Sequence, residues 1–167
     1  NQAMHRKHFW NLKWIFAFII QLALSACATG QTMVNHSFSF DTISDSPSVE
    51  VLDYQYGNSR QFGTHANKEI IALGEVFPAW RTYGAMPRGD FLYVKWRIKK
   101  SAQVYEDKVD LKARLPADIS GYGIHFVING PQLYVYLIPP PGIWSAAAMR
   151  EVPAYLKQYQ IYPDQPK

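Results

Sequence analysis

With 167 residues, 15% of them aromatic, the chain is long enough to close one hydrophobic core and too aromatic for a disordered polypeptide. Its single cysteine, Cys27, excludes an internal disulfide framework and a cysteine-pair zinc site. The formal charge of +4 belongs to the N-terminal segment: Arg6, Lys7 and Lys13 precede Cys27 with no acidic residue beside them, so the 14 remaining of 17 basic residues nearly balance 13 acidic ones. No Lys/Arg block is left to argue for nucleic acid.

The first 26 residues have the layout of an export signal. Residues 4–8 are its positive segment, with Met4 as the start and residues 1–3 as upstream or cloning residues. Residues 14–20 are its apolar segment, followed by Gln21, Leu22, Ala23 and Leu24. A membrane-spanning helix is the competing reading, but a span needs about 20 apolar residues. Residues 14–28 are fewer and include Gln21 and Ser25.

Leu24-Ser25-Ala26-Cys27 resembles the lipobox of bacterial lipoproteins. The resemblance implies a diacylglyceryl group on the Cys27 thiol, cleavage before that residue and acylation of its new amino group. One acyl chain binds a membrane marginally, whereas several anchor a protein stably. Ala28 stands where inner-membrane lipoproteins of enteric bacteria carry aspartate. The resemblance therefore implies the outer membrane, with the domain facing the periplasm. A buried free cysteine and a redox thiol are the other roles open to Cys27.

Residues 27–47 read as a lipidated tether, rich in Ser, Thr, Asn and Asp, although weak alternation of Val34, Phe38 and Phe40 allows a short strand. A single β-rich domain is expected over 48–167. Residues 48–56 alternate better and close at Gly57-Asn58-Ser59, which predicts the first firm strand. Residues 57–90 are punctuated by glycine and proline, so a long loop is expected, with residues 69–73 as a turn of helix or a strand. Trp80, Arg81 and Tyr83 fall within it, and loops of this length tend to carry function.

Two hairpins follow. In residues 91–100, Leu92, Val94, Trp96 and Ile98 share one face, and Tyr93, Lys95, Arg97 and Lys99 the other. Residues 103–111 are the expected antiparallel partner, with Glu106 or Asp107 opposite Lys95 or Arg97, an exposed ion pair worth about 0.2–1 kcal/mol. Residues 122–128 and 132–138 flank Asn129-Gly130, a strong hairpin signal, and Pro131 argues for a longer turn. Leu133, Val135 and Leu137 then face the core, with Tyr134 and Tyr136 on the opposite surface. Prolines 139–141 stop the sheet. Residues 145–151 are a short helix candidate, and 153–160 a turn or extended segment. The predicted fold is mainly β, an antiparallel sheet that is sandwich-like or a curled meander, with minor helix.

Catalytic signatures are scarce: there is no Gly-x-Ser-x-Gly, no phosphate-binding loop and no His-Glu-x-x-His. Gly121 and Gly123 read as residues that let strands bend. His36, His65 and His125 are far apart, and His125 reads as a structural or surface histidine. Asp107 and Asp110, three apart on a strand, point to opposite faces. No catalytic residue, metal site or cofactor is expected. The residues assigned to partner binding are Trp80, Arg81, Tyr83, Tyr134 and Tyr136, types enriched in interface hot spots.

The runs "FLYVKWRIKKSAQVYEDKVDLKARLP" and "IHFVINGPQLYVYLIPP", with a late "YPD", resemble small proteobacterial lipoproteins found beside type VI secretion phospholipase effectors. The resemblance spans roughly residues 48–164 and implies an immunity protein that binds a lipase-type effector in the periplasm and blocks its active site. A structural or assembly lipoprotein of the envelope is the alternative. An enzyme using His65 with Asp53 or Glu75 is a third reading.

Overall fold

The computed structural model describes residues 31–140 and 159–166. Cys27, the export signal, the helix candidate at 145–151 and most of 153–160 lie outside them. The described elements are β1 (Met33–Asp41), β2 (Val49–Tyr56), α1 (Lys68–Ala72), β3 (Ala79–Pro87), β4 (Phe91–Ile98), β5 (Val104–Asp110), β6 (Gly123–Asn129), β7 (Gln132–Ile138) and β8 (Gln160–Tyr162). They form a five-stranded sheet, β3-β1-β6-β7-β8, and a three-stranded sheet, β2-β4-β5. Every pairing is antiparallel except β1 with β6. The mainly β fold expected from the sequence is therefore present, as two sheets sharing one core.

That core is aromatic where the sheets meet. Phe38 of β1 stacks on Tyr56 of β2 with centroids 5.2 Å apart, and Phe40 meets Tyr54 edge-on at 4.9 Å. Phe40 also stacks on Phe126 of β6 at 4.6 Å. Tyr54 and Tyr56 reach this layer through a bulge between Val51 and Asp53, which moves the inward positions from odd to even residues. From the small sheet, Leu92, Val94 and Trp96 add an uninterrupted apolar row. Polar atoms also join the sheets: Trp96 donates its indole N–H to Gly130 O at 2.9 Å, and the Tyr162 hydroxyl donates to Asp107 at 2.6 Å.

The tether expected over 27–47 does not extend through residues 33–41. Met33–Asp41 is a strand inside the larger sheet, and the compact unit begins at Thr32. Its inward positions are His36, Phe38 and Phe40, all buried, while Asn35, Ser37, Ser39 and Asp41 point the other way. The period of two is complete, but one of these three inward positions is a histidine. Burial is affordable for His36 because both ring nitrogens are bonded. Nδ1–H donates to Val34 O at 2.7 Å, and Nε2 accepts from the Tyr56 hydroxyl at 3.0 Å, which itself accepts from the Gly89 N–H at 2.9 Å.

The long loop expected over 57–90 is also corrected. Asn67 caps α1 by accepting from the Glu69 and Ile70 amides, and Ala79–Pro87 pairs with the whole length of β1. β3 escapes sequence reading because Thr82 and Gly84, between Trp80 and Met86, occupy inward positions where alternation would want large apolar residues. The hairpin between β6 and β7 is shorter than Pro131 implied. Asn129 pairs directly with Gln132, leaving a two-residue turn with Gly130 at φ 57°. Positive φ at the first central position with proline at the second is compatible with a II′ turn, so proline does not lengthen it. In the β4–β5 hairpin Lys95 does lie opposite Glu106, but Glu106 accepts from the Tyr93 hydroxyl at 2.9 Å, and Arg97 forms its ion pair with Glu50 of β2, at 2.7 Å.

Replacing Tyr56 with Phe leaves the Gly89 amide and His36 without their common partner. We expect a loss of about 1–3 kcal/mol in chemical denaturation, against under about 0.5 kcal/mol for exposed Lys108→Ala. Burial lowers the pKa of His36 below its ordinary 6.5, so the folded state binds fewer protons there than the unfolded chain. Stability from this group is complete above about pH 6.5 and declines as the pH falls below it. Urea midpoints between pH 7.5 and 5 should therefore fall further for the wild-type chain than for His36→Gln.

Candidate functional site

The side of the larger sheet that faces away from the core carries a row of polar and aromatic residues. Cross-strand partners share a face, and the register sets Arg81 (β3) beside Ser39 (β1), Ser39 beside His125 (β6), His125 beside Tyr136 (β7) and Tyr136 beside Gln160 (β8). Val127 and Tyr134 form the neighbouring pair. Above this row, residues 42–48 connect β1 to β2 and make one wall of a groove of about 1250 Å³. Its lining includes Asp45, Arg81, His125, Tyr134, Tyr136 and Ile138.

The wall is tied to the floor by hydrogen bonds. His125 Nε2 lies 2.7 Å from Asp45 Oδ2, and its Nδ1 lies 2.8 Å from Ser39 Oγ. An ionised carboxylate only accepts, so Nε2 carries a proton; in the neutral imidazole Nδ1 is then bare and accepts from the Ser39 hydroxyl. Ser46 Oγ donates to Asp45 at 2.9 Å and accepts from the Ile128 N–H at 2.9 Å. At the base of the wall, the Ser44 hydroxyl and the Ser44 and Ile43 amides bond Asp41, and these contacts hold its carboxyl below the usual range. Burial pushes the Tyr136 phenol above its usual range.

The five residues assigned to partner binding do not all share this face. Arg81, Tyr134 and Tyr136 converge on the groove, although 53 residues separate Arg81 from Tyr134 in sequence. Arg81 is exposed, and among the described residues no hydrogen bond or ion pair engages it. Tyr83, 65% exposed, lies on the same face one pleat beyond Arg81. Tyr136 is on the expected surface but only 6% exposed. Trp80 departs from the expectation: it pairs with Phe40 and packs on the core side, under Gly63 and edge-on to Phe62 at 5.0 Å. A Cβ on Gly63 would overlap the indole, so that glycine is what lets the loop cross it.

His65 lies beside Gln55 at the margin of the smaller sheet, and among the described residues no hydrogen bond or ion pair joins it to Asp53 or Glu75. Asp107 faces inward to Tyr162 while Asp110 is exposed, as strand alternation requires. No group of three or more His, Cys, Asp or Glu among the described residues is placed to hold a metal ion. None of their helices is long and apolar enough to cross a membrane. Ser39 and Asp45 were not singled out from the sequence. They lie 86 and 80 residues from His125, and only the parallel β1–β6 pairing brings them to it.

No protein-family model, curated protein or solved structure matches this chain.

If Ser46 latches the wall to β6, Ser46→Ala should speed exchange of the Ile128 amide at least about tenfold, the equivalent of one modest hydrogen bond. The amide of Phe126, two residues earlier in β6 and opposite Phe40, should be unaffected. Hydrogen exchange followed by NMR separates the two.

Proposed function

We propose that this chain is a lipid-anchored periplasmic protein of the outer membrane that acts by binding a protein partner, most concretely as an immunity protein blocking a type VI secretion phospholipase effector. The anchor rests on Leu24-Ser25-Ala26-Cys27 behind a basic and apolar leader. The partner class rests on the resemblance of the strand runs to effector-associated lipoproteins.

The observation that carries the binding reading is the convergence of Arg81, Tyr134 and Tyr136 on one groove. Arginine and tyrosine are over-represented among residues that dominate interface energies. Here they stand on paired strands, so little backbone freedom is lost on association. The guanidinium of Arg81, unpaired among the described residues, favours a carboxylate on the partner, and Tyr134 offers a ring face with few rotatable bonds. The groove wall is held by His125 and Ser46, so the surface is formed before the partner arrives.

The test is co-expression with a lipase-type effector, read as complex formation and as protection of the cell. Arg81→Ala and Tyr134→Ala should each weaken binding about tenfold or more, while Lys95→Ala on the other sheet leaves it unchanged. Cys27→Ser should move the protein out of the membrane fraction and remove protection without altering affinity in solution. Absence of a complex with the folded chain, together with absence of protection, contradicts the reading.

A further inference from the structure

Ser39, His125 and Asp45 have a second property that the binding role does not use. The proton on Nε2 points to Asp45, the free lone pair on Nδ1 points to Ser39 Oγ, and both separations are below 3 Å. We propose that Ser39 is a nucleophile, that His125 is its general base and Asp45 the positioning residue, and that the site hydrolyses carboxylic esters with an apolar acyl chain.

Four features of the site carry the proposal. The first is the direction of the hydrogen bonds. A serine hydroxyl that donates to a bare imidazole nitrogen is the arrangement that removes its proton as it attacks. The imidazole is turned so that Nδ1, not Nε2, meets the serine, but either nitrogen is a base when it lacks a proton. Such constellations are recognised by geometry and role, not by order in the chain. Second, the carboxylate is itself held: Asp45 accepts from Ser46, which is fixed by the Ile128 amide.

Third, there is a narrow opening and a cation, Ser39 being 6% and His125 8% exposed. Ser39 and His125 border a depression of about 360 Å³ together with Arg81 and Trp80. Backbone amides within the β1 ladder are committed to β3 and β6, so they offer no oxyanion hole. The guanidinium of Arg81, cross-strand neighbour of Ser39 and free of other partners among the described residues, supplies the donors instead. Fourth, the adjoining groove places Val127, Tyr134, Tyr136 and Ile138 beside His125, an apolar and aromatic floor for an acyl chain.

The reaction balances with water as the only co-reactant. Ser39 Oγ attacks the ester carbonyl carbon while its proton passes to His125 Nδ1. The tetrahedral oxyanion, facing Arg81, collapses; the bond to the alcohol oxygen breaks, and the alcohol leaves with that proton. Water then attacks the acyl-serine and gives its proton to Nδ1. Collapse of the second tetrahedral species returns the proton to Ser39 Oγ and releases the carboxylic acid.

The proposal does not depend on the partner-binding reading, and each can fail alone. The full-length chain in detergent is treated with an alkyl fluorophosphonate, and the modified residue is located by peptide mass spectrometry. Hydrolysis of p-nitrophenyl butyrate is followed in parallel. The expected result is a phosphonyl adduct on Ser39 of the native protein, absent after heat denaturation. Ser39→Ala and His125→Ala should lower turnover at least about 100-fold. In Asp45→Asn the amide donates to Nε2, the ring proton moves to Nδ1, and kcat should fall by a similar factor with KM within about twofold. A purely structural hydrogen-bond line gives no adduct at Ser39 in the folded wild-type protein, and that result overturns the proposal whatever the variants do. Adducts confined to other residues overturn it as well. Ser39→Ala that binds the effector normally but loses the adduct separates this site from partner recognition.

Discussion

The contact on which the rest depends is the stacking of Phe38 and Phe40 against Tyr54 and Tyr56. These four rings join the two sheets, and two of them come from a strand that lies between β3 and β6. Burying a phenylalanine side chain is worth about 1.5–3 kcal/mol, and well-placed ring pairs add about 0.5–1.5 kcal/mol each. That energy holds β1 between β3 and β6 in the larger sheet. The strand's parallel pairing with β6 closes a separation of more than 80 residues in sequence, so local propensity contributes little to it.

Strand alternation carries the same constraint to the opposite surface. With Phe38 and Phe40 fixed inward, Ser39 between them must point outward, and its neighbours across the ladders are Arg81 and His125. The chain then turns at Thr42, whose amide and hydroxyl both bond Pro78 O, and residues 42–48 come back over the sheet face. Asp45 meets His125 there, and Ser46 reaches the Ile128 amide. Core and groove are thus two faces of one strand. A change that shifts the register of β1 by one residue would turn the phenylalanines to the outer face and the serines into the core.

The legible parts of the sequence were those whose pattern is local. β4 and β5, β6 and β7 were visible because large apolar residues alternate with polar ones and the partner strand follows at once. β2 was visible too, though not its bulge, which a run of apolar and polar residues conceals. β1 and β3 were not legible. In β1 a histidine occupies an inward position and is made tolerable by Tyr56, a residue 20 positions away. In β3 Thr82 and Gly84 interrupt the inward row between Trp80 and Met86, so the alternation that would mark the buried face is broken. The same gap separates the assigned site residues. Tyr134 and Tyr136 were put on the right surface because β7 alternates clearly. Trp80 and Arg81, adjacent in sequence, lie on opposite faces because they sit in a strand, where successive side chains alternate. Ser39 and Asp45 acquire meaning only from a pairing made between distant segments.

The central claim is that the outward face of the larger sheet meets the partner. Hydroxyl-radical footprinting of the chain, alone and with a bound lipase-type effector, tests it most directly because tyrosine side chains report their own exposure. Tyr83 and Tyr134 on that face should lose most of their reactivity on binding, while Tyr93, on the outward face of the smaller sheet beside Glu106, keeps its own. Protection of Tyr93 with Tyr83 and Tyr134 unchanged contradicts the account.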